Sequence, residues 1–228
     1  MDESDREDAK RRAGESAAAT VEDGAVVGLG SGSTAAHAVR ALGRRVDDGL
    51  DVRGVPTSYQ ARDVAVEAGV ELTTLAGTDG QVDVAIDGAD QVAGADLLKG
   101  GGASHAREKI VDTAADRFLV VADSTKEVDR LDDPVPVEVL PDAQPTVAAG
   151  VERLGGDPRL RAATAKSGPV VTDNGNLVLD CDFGIILNPA ELAASLAGLP
   201  GVVAHGLFAD TADAVYVGER TDVTVYRP

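Results

Sequence analysis

Short apolar runs alternate with helix-forming stretches along the first half of the chain, and no other feature restricts the fold as strongly. Runs typical of buried strands lie within residues 25–30, 52–58, 82–90 and 117–123, and helical patterns cover residues 9–23, 33–49, 58–69 and 104–115. Strands and helices at this spacing predict βαβ units, in which right-handed crossovers join parallel strands. The predicted fold class is therefore α/β.

The pattern changes after Lys126. Four prolines interrupt a segment that is typical of an extended strand or a linker: Pro134, Pro136, Pro141 and Pro145. A helix (146–156), a strand (159–164), an Asp-Asn-Gly hairpin signal (173–175) and a second helix (188–201) are predicted after it. These elements predict a small α+β domain, residues 131–205, inserted into a main domain of residues 1–130 plus 206–228. The strand-like tail over 202–219 is expected to rejoin the main sheet.

The charge of the chain limits its partners. The formal net charge is −18 and the sequence pI is near 4.4, so nucleic acid and anionic membranes are poor partners for its surface. The chain has 27 Asp to 12 Glu and only 5 Lys to 16 Arg. This balance favours a protein that works in molar salt, where the Debye length is about 3 Å and self-repulsion is screened. An ordinary acidic mesophilic protein is the alternative.

Targeting signals are not predicted. No run approaches the ~20 apolar residues of a membrane helix, and the charged N-terminal residues lack the apolar centre of a secretory signal. Cys181 is the single cysteine, so no internal disulfide can form. A cytoplasmic location is expected.

A glycine-rich loop follows the first predicted strand and precedes a helix. Its glycines would let the backbone approach an anion, while free N–H groups at the helix start and three hydroxyls would bind it. The candidate phosphate-binding residues are Gly30, Ser31, Gly32, Ser33 and Thr34. The loop is neither a Walker A motif nor a dinucleotide fingerprint. The alternative is a turn that serves only tight packing. A second hydroxyl pair, Thr57 and Ser58, lies at another strand-to-helix turn.

Two carboxylates end the strand over 82–90. Asp87 and Asp90 flank a turn at Gly88, and carboxylates this close can divide into a base and a partly protonated acid. They could equally bind a divalent cation, but no histidine or further carboxylate lies nearby at ligand spacing, so no metal site is predicted. Capping of a helix by Asp90 is the structural alternative.

A lysine and three glycines form the third candidate motif. Lys99 precedes Gly100, Gly101 and Gly102, and a loop this pliable could close around a ligand while the lysine stabilises an oxyanion. Glu108 follows on a helix predicted to pack through Ile110 and Val111, which makes it a candidate base. The alternative is that Glu108 is a solvated helix charge.

The remaining candidates are basic residues. Lys126 lies at a predicted strand end and Lys10 on the first helix. An acidic protein that binds an anion needs such local positive charge. The three histidines do not form a triad or a metal cluster by spacing.

Taken in order, the motifs resemble a known family. GLGSGSTA, GVPTSYQAR, DVAIDGADQV, LLKGGGASHAREKIV, VVADSTKEV, VPVEVLP, VTDNGNLVLD and GVVAHGLFADTADAVYVG are similar to signature stretches of type A ribose-5-phosphate isomerase, from about Lys10 to Gly218. The resemblance implies a Rossmann-like main domain with a small ferredoxin-like α+β insert, which would act as a lid and in oligomerisation. It also implies a homodimer or homotetramer that needs neither metal nor organic cofactor.

The resemblance further implies an activity and the residues that carry it. The substrates would be D-ribose 5-phosphate and D-ribulose 5-phosphate, interconverted through an enediolate with Glu108 as the base. Asp87 would assist ring opening, Asp90 would hold sugar hydroxyls and Lys99 would steady the negative oxygen. The phosphate would be held by the loop residues Ser31, Ser33 and Thr34 with Lys10 and Lys126.

Three departures and several rival functions accompany the resemblance. Gln91 stands where the family usually has glutamate, Ser31 stands where threonine is common, and Arg11 beside Lys10 is an alternative phosphate ligand. A non-catalytic sugar-phosphate-sensing domain would need an added DNA-binding module, which the short N-terminal segment and the acidic charge disfavour. The rival enzyme functions are those of a related sugar-phosphate isomerase, an acyl-CoA transferase and a nucleotide-dependent oxidoreductase.

Overall fold

A computed structural model describes residues 1–228. The helices are α1 (Glu3–Ala18), α2 (Gly32–Asp47), α3 (Tyr59–Glu67), α4 (His105–Ala114), α5 (Gln144–Arg153) and α6 (Pro189–Ala197). The first seven strands are β1 (Val26–Leu29), β2 (Arg53–Pro56), β3 (Glu71–Leu72), β4 (Val84–Gly88), β5 (Gln91–Ala93), β6 (Asp96–Leu98) and β7 (Phe118–Asp123). The others are β8 (Val135–Val139), β9 (Asp157–Leu160), β10 (Leu177–Asp182), β11 (Val202–His205), β12 (Leu207–Phe208), β13 (Ala214–Gly218) and β14 (Val223–Tyr226).

Residue contacts divide the chain into two units. The first unit comprises Met1–Ala89, Arg107–Glu127 and Thr211–Pro228, and the second comprises Asp90–Ala106 and Val128–Asp210. The division predicted from the sequence placed residues 90–106 in the main domain. The contacts group them with the second unit, where β5 and β6 pair with each other and β6 pairs with β12.

The first unit is built on one seven-stranded sheet in the order β14-β13-β7-β4-β1-β2-β3. All its pairings are parallel except β13 with β14. Read inward from β3, the six parallel strands have the 3-2-1-4-5-6 order of a Rossmann-like sheet. The α/β prediction is confirmed. The tail predicted over 202–219 rejoins this sheet only through β13, because β11 pairs with β8 and β12 with β6 in the second unit.

Strand order also determines where this sheet can bind a ligand. The chain runs from β1 outward to β2 and β3 on one side and to β4, β7 and β13 on the other. The change of direction lies between β1 and β4, and ligands of open α/β sheets bind at the carboxyl ends of the strands beside such a point. The glycine-rich loop after β1 and Asp87 in β4 occupy those two ends.

Small side chains pack the helices of the first unit closely. A Cβ atom at Gly14 in α1 would lie 2.7 Å from the backbone nitrogen of Ala38 in α2. The core beneath is mainly alanine and valine, and its larger members are Leu29, Leu42, Ile86, Leu119 and Tyr216. A chain with only 3% aromatic residues therefore fills its core by close approach of backbones rather than by large side chains.

The second unit contains the predicted α+β insert. Strands β8, β9, β10 and β11 form an antiparallel sheet in the order β11-β8-β10-β9, and α5 and α6 follow β8 and β10 in the chain. This β-α-β-β-α-β arrangement is ferredoxin-like, as predicted. The proline-containing segment forms the inner strand β8. The strand expected over 159–164 lies earlier, at β9, and Asp173-Asn174-Gly175 forms a tight turn closed by the Thr172 N–H donating to the Asn176 carbonyl at 2.9 Å.

Candidate active site

The loop after β1 approaches β4 so closely that only glycine fits at position 30. A Cβ atom on Gly30 would lie 2.2 Å from Oδ1 and 2.4 Å from Cα of Asp87. The Gly30 N–H donates to the carbonyl of Ile86 at 2.9 Å, which continues the pairing of β1 with β4 beyond the strand. The next residue therefore starts its turn directly beside the Asp87 carboxylate.

Ser31 is hydrogen-bonded to two neighbouring segments, β4 and the turn after β2. Its N–H donates to Asp87 Oδ1 at 2.9 Å, and its Oγ lies 2.8 Å from Thr57 Oγ1 and 2.7 Å from Ser58 Oγ. Thr57 and Ser58 are both buried after β2. The hydroxyl cluster predicted at that turn therefore supports the loop, and Ser31 acts as an anchor within the protein.

The first turn of α2 presents backbone donors. The Gly32 N–H donates to Gln60 Oε1 at 2.9 Å, whereas the N–H groups of Ser33 and Thr34 have no acceptor in the protein. Ser33 is exposed and Thr34 is half-buried. Unpaired amides at the start of a 16-residue helix favour a bound anion. The loop serves close packing at Gly30 and also leaves unpaired backbone donors at the first turn of α2.

Asp87 is buried at the carboxyl end of β4, with 1% of its surface exposed. Its Oδ1 accepts the N–H of Ser31 and also that of Gly88, at 2.6 Å. Backbone amides that donate to a carboxylate stabilise its ionised form and fix its orientation. Asp87 is thus held rigidly beside the loop.

Glu108 lies in the first turn of α4 and only 5% of its surface is exposed. The helix packs closely on the sheet, since a Cβ atom at Gly28 in β1 would lie 2.7 Å from Cγ1 of Val111. The alternative of a solvated helix charge is therefore wrong. The expectation that Ile110 packs the helix is also wrong, because Ile110 is 57% exposed, whereas Val111 is buried as predicted.

Asp90 makes its contact within the second unit. Its Oδ2 accepts the N–H of Gly101 at 2.7 Å, and its own N–H donates to the carbonyl of Leu98 at 2.7 Å. No helix begins after Asp90, because the chain continues into β5, so the helix-capping alternative is wrong. The carboxylate instead anchors the triple-glycine loop.

Gln91 shows why an amide suits a position where glutamate is usual. Its Nε2 donates to Asp132 Oδ1 at 2.6 Å, and its Oε1 accepts the backbone N–H groups of Asp132 and Asp133. A glutamate could accept from the backbone but could not donate to the Asp132 carboxylate. The departure therefore matches a local partner and leaves Asp87 and Asp90 in place.

Lys99 precedes the triple-glycine loop and is only 2% exposed. Its Nζ lies 5.4 Å from the centroid of the Phe208 ring, within cation–π range. Its N–H donates to the carbonyl of Gly206 at 2.8 Å, and a Cβ atom at Gly206 would lie 2.1 Å from the Lys99 carbonyl oxygen. The backbone hydrogen bond fixes the main chain of Lys99, and the Phe208 ring lies close to its ammonium group.

The two other lysines proposed as phosphate ligands lie elsewhere in the first unit. Lys126 ends a short 3₁₀ turn after β7, is half-buried and makes no ion pair. Lys10 on α1 pairs with Glu7 at 3.8 Å, whereas Arg11 pairs with Asp8 and Glu15. No described contact joins Lys10, Arg11 or Lys126 to the loop over 31–34.

The structure shows no reactive cysteine, no metal-binding cluster and no membrane-spanning helix. Burial raises the pKa of the Cys181 thiol to about 12, with a smaller contribution from Asp180, so a thiolate nucleophile is excluded at neutral pH. No group of three or more His, Cys, Asp and Glu side chains is arranged to hold a metal ion. None of the helices is both long enough and apolar enough to span a bilayer.

Sequence reasoning missed three residues that support the site. Gln60 accepts the Gly32 N–H, and Arg161 donates to the triple-glycine loop while paired with Asp180. Arg161 lies about 60 residues after the loop, and its neighbours predict only a strand. No local signal marks such a contact, because it joins two segments that are distant in the chain.

Gly30→Ala tests the close approach of the loop to β4. The added methyl would overlap Asp87, so we expect a loss of about 1–3 kcal/mol in the free energy of unfolding and a fall in phosphate affinity. Urea titration measures the first and isothermal titration with inorganic phosphate the second. Gly198→Ala is the matched control, since its nearest neighbours lie at 3.5 Å. Stability of Gly30→Ala within about 0.5 kcal/mol of that control would contradict the packing argument.

Fold and site together define an α/β enzyme that presents carboxylates and anion-binding amides at the switch point of a parallel sheet. A model of the family described as ribose 5-phosphate isomerase A (phosphoriboisomerase A) matches residues 53–222. The chain belongs to the ribose 5-phosphate isomerase A family. It interconverts D-ribose 5-phosphate and D-ribulose 5-phosphate. The resemblance of the motifs is thereby confirmed.

Individual relatives match almost the whole chain. The ribose-5-phosphate isomerase A of Natronomonas pharaonis is 65% identical over 216 residues, covering 95% of each chain. That of Haloarcula marismortui is 65% identical over 217 residues, covering 95% of this chain and 94% of its own. The halophilic sources of these relatives fit the acid-rich composition.

Solved structures agree with the fold over the same length. Ribose 5-phosphate isomerase A from Methanocaldococcus jannaschii superposes with a TM-score of 0.93 at 41% identity, covering 97% of this chain and 99% of its own. A D-ribose-5-phosphate isomerase in complex with phospho-erythronic acid superposes with a TM-score of 0.94 at 39% identity, covering 100% of both.

Proposed function

We propose that Glu108 is the base that moves the proton between C2 and C1 of the open-chain sugar phosphate. The observation that carries this proposal is the burial of its carboxylate in the first turn of a helix packed on the sheet. Glu108 takes the C2 proton, the C–H electron pair forms the C1=C2 bond, and the carbonyl pair moves to O1. Proton transfer from O2 to O1 and return of the Glu108 proton to C1 leave the ketone at C2. Proton removal next to a carbonyl requires such a positioned base.

Lys99 has the role of stabilising the enediolate oxygens. Its ammonium group is almost completely buried, and charge stabilisation is stronger where water is excluded. Asp90 holds sugar hydroxyls, and the backbone of Gly100, Gly101 and Gly102 surrounds the ligand. Both assignments are supported by the hydrogen bond from the Gly101 N–H to the Asp90 carboxylate, which places Asp90 next to the loop.

Asp87 assists opening of the furanose ring. The ring opens when the anomeric hydroxyl loses a proton to a base and the ring oxygen gains one. A carboxylate fixed by two backbone amides is oriented for the first of these transfers. Its position beside the glycine-rich loop supports this assignment.

The phosphate is bound at the first turn of α2. The unpaired N–H groups of Ser33 and Thr34, with their hydroxyls, support this assignment, and Gly30, Ser31 and Gly32 shape the turn. Lys126 and Lys10 add positive charge to an otherwise acidic protein. A related isomerase holds phospho-erythronic acid, which is itself a phosphorylated ligand. Binding of the remote phosphate positions the reacting end of the sugar.

The proposal includes a cellular location and an oligomeric state. A cytoplasmic enzyme fits a chain with a single cysteine. A homodimer or homotetramer fits the exposed apolar side chains of the second unit, among them Ile185 and Leu187, which are 63% and 74% exposed.

A metal-free turnover assay tests the proposed mechanism. Conversion of ribose 5-phosphate is measured with excess EDTA at low and at molar salt. We expect equal rates with and without the chelator, since carboxylates are the proposed bases and a lysine, not a metal ion, is proposed to stabilise the negative oxygen. A loss of most activity on chelation, restored by a divalent cation, would contradict the mechanism.

A further inference from the structure

The triple-glycine loop needs support from outside itself. Gly100, Gly101 and Gly102 carry no side chains, and Gly100 has a φ of +105°, which glycine adopts readily. Gly101 and Gly102 are also exposed. Such a backbone samples many conformations unless its peptide groups are hydrogen-bonded, and a loop that positions a substrate must be held in one of them.

Arg161 supplies that support at the carbonyl side. Its Nη1 donates to the carbonyl oxygens of Gly100 at 2.8 Å and Gly101 at 3.0 Å. Its Nε lies 2.9 Å from Oδ2 and 3.1 Å from Oδ1 of Asp180, and its Nη2 also donates to Asp180 Oδ1. The side chains of Arg161 and Asp180 are only 16% and 31% exposed. A planar guanidinium that is bound on two sides has little freedom.

Asp90 supplies the support at the amide side. The carbonyl of Gly100 and the N–H of Gly101 belong to one peptide group and point in opposite directions, because the bond is trans. Arg161 holds the carbonyl and Asp90 Oδ2 holds the N–H at 2.7 Å. The same group is thus held at both ends.

The next peptide group is held at one end only. Arg161 binds the Gly101 carbonyl, so the N–H of Gly102 is turned to the opposite side of that peptide. This N–H has no acceptor in the protein. Arg161 therefore determines the direction in which the loop offers a backbone donor.

We propose that Arg161, held by Asp180, is a positioning residue for the isomerase reaction: it fixes the Gly100–Gly102 backbone so that the loop and Lys99 meet the substrate in the productive geometry. The proposal rests on the proposed roles of Lys99 and this loop. It assigns no contact between Arg161 and the substrate. Small displacements of positioning groups cost up to about 100-fold in rate.

Four variants separate this role from general stabilisation. Arg161→Gln removes the guanidinium group with its charge, and Arg161→Lys keeps the positive charge but not the planar set of donors. Asp180→Asn weakens the interaction that holds the Arg161 guanidinium in place. The control is Arg159→Gln. Arg159 lies on β9, two residues before Arg161, and its ion pair is with Asp157. The side chains of that pair are 77% and 60% exposed. For each variant, kcat, KM, the thermal midpoint and hydrogen–deuterium exchange of peptides containing residues 99–102 are measured on the full chain.

We expect Arg161→Gln to lower kcat about 10- to 100-fold with KM changed less than about threefold. Exchange at Gly101 should become faster, because its peptide group keeps only the bonds to Asp90 and from the Ala103 N–H, which donates to the Gly100 carbonyl at 3.0 Å. Asp180→Asn should show the same pattern to a smaller degree, and Arg161→Lys should recover part of kcat. Arg159→Gln should behave as the unmodified protein in all four measurements.

Two results would overturn the proposal. One is a kcat for Arg161→Gln within about twofold of the control; the other is a lowered kcat with unchanged exchange over residues 99–102. If Arg161→Gln does not fold, Arg161→Lys and Asp180→Asn decide by the same criteria. Lys99→Met is measured in parallel: an active Lys99→Met overturns the proposed role of Lys99, whereas an inactive Lys99→Met beside an active Arg161→Gln overturns the positioning role alone.

Discussion

Glu108→Gln is expected to lower kcat by about 10²- to 10⁴-fold while the protein stays folded, which is the range that a positioned general base contributes. Glutamine has the shape of glutamate but cannot accept the C2 proton. Glu108 is buried at the start of α4, so its replacement by a neutral side chain of equal size leaves the packing of Val111 on β1 intact. Affinity for inorganic phosphate should not change, because the first turn of α2 is untouched.

The measurement is turnover of ribose 5-phosphate, with solvent deuterium incorporation into the product as a second readout of proton transfer. Glu67→Gln is the matched control: the same chemical change on an exposed position of α3 in the same unit. A Glu108→Gln variant with more than about a tenth of the normal kcat would lose under ~1.4 kcal/mol of transition-state stabilisation. That result would remove Glu108 from the role of base.

Lys99→Met has the second-largest expected effect. Removal of one group that stabilises a developing oxyanion typically costs about 10²- to 10³-fold in kcat. Methionine retains much of the unbranched stem and can contact the Phe208 ring through sulfur, so packing around the 2%-exposed site is largely kept. The ammonium charge is what disappears. KM should change little, because the phosphate site proposed above lies at the first turn of α2 and does not include Lys99.

Turnover and the thermal midpoint of Lys99→Met are compared with those of Lys166→Met. Lys166 is exposed and lies in a loop of the second unit, so its replacement tests the loss of one positive charge from a protein of net charge −18. Equal kcat values for the two variants would show that charge at Lys99 does not assist the reaction. A strong loss confined to Lys99→Met is the expected result.

Local sequence was sufficient for the elements and for much of the site. A strand followed by Gly30, Ser31 and Gly32 predicted a helix N-terminus with backbone donors, and the structure has one there. The pattern over 82–90 predicted Asp87 at the end of a strand, and the structure places it at the end of β4, where its Oδ1 accepts the Ser31 N–H at 2.9 Å. These predictions succeeded because strand period, glycine content and helix starts are properties of consecutive residues.

Burial could not be predicted at the positions where it matters most. Taken alone, the sequence around Glu108 favours a surface charge over a base, and it predicts that Ile110 faces the core. The structure buries Glu108 and exposes Ile110. Which residues of α4 are buried depends on how the helix is rotated about its axis. That rotation depends on packing against β1 at Gly28, which lies far away in the chain.

The amino-acid sequence by itself determined the α/β class, the presence of a small α+β insert and the residue types of the site, since these depend on short-range periodicity and turn chemistry. Only the tertiary structure decided that residues 90–106 group with the insert, that Glu108 is buried and that Arg161 holds Gly100 and Gly101. Each of these depends on segments that are distant in the chain. Hydrogen bonds and burial are set by which surfaces meet in space, and a contact such as that between Arg161 and Gly100 exists only after both segments have found their neighbours.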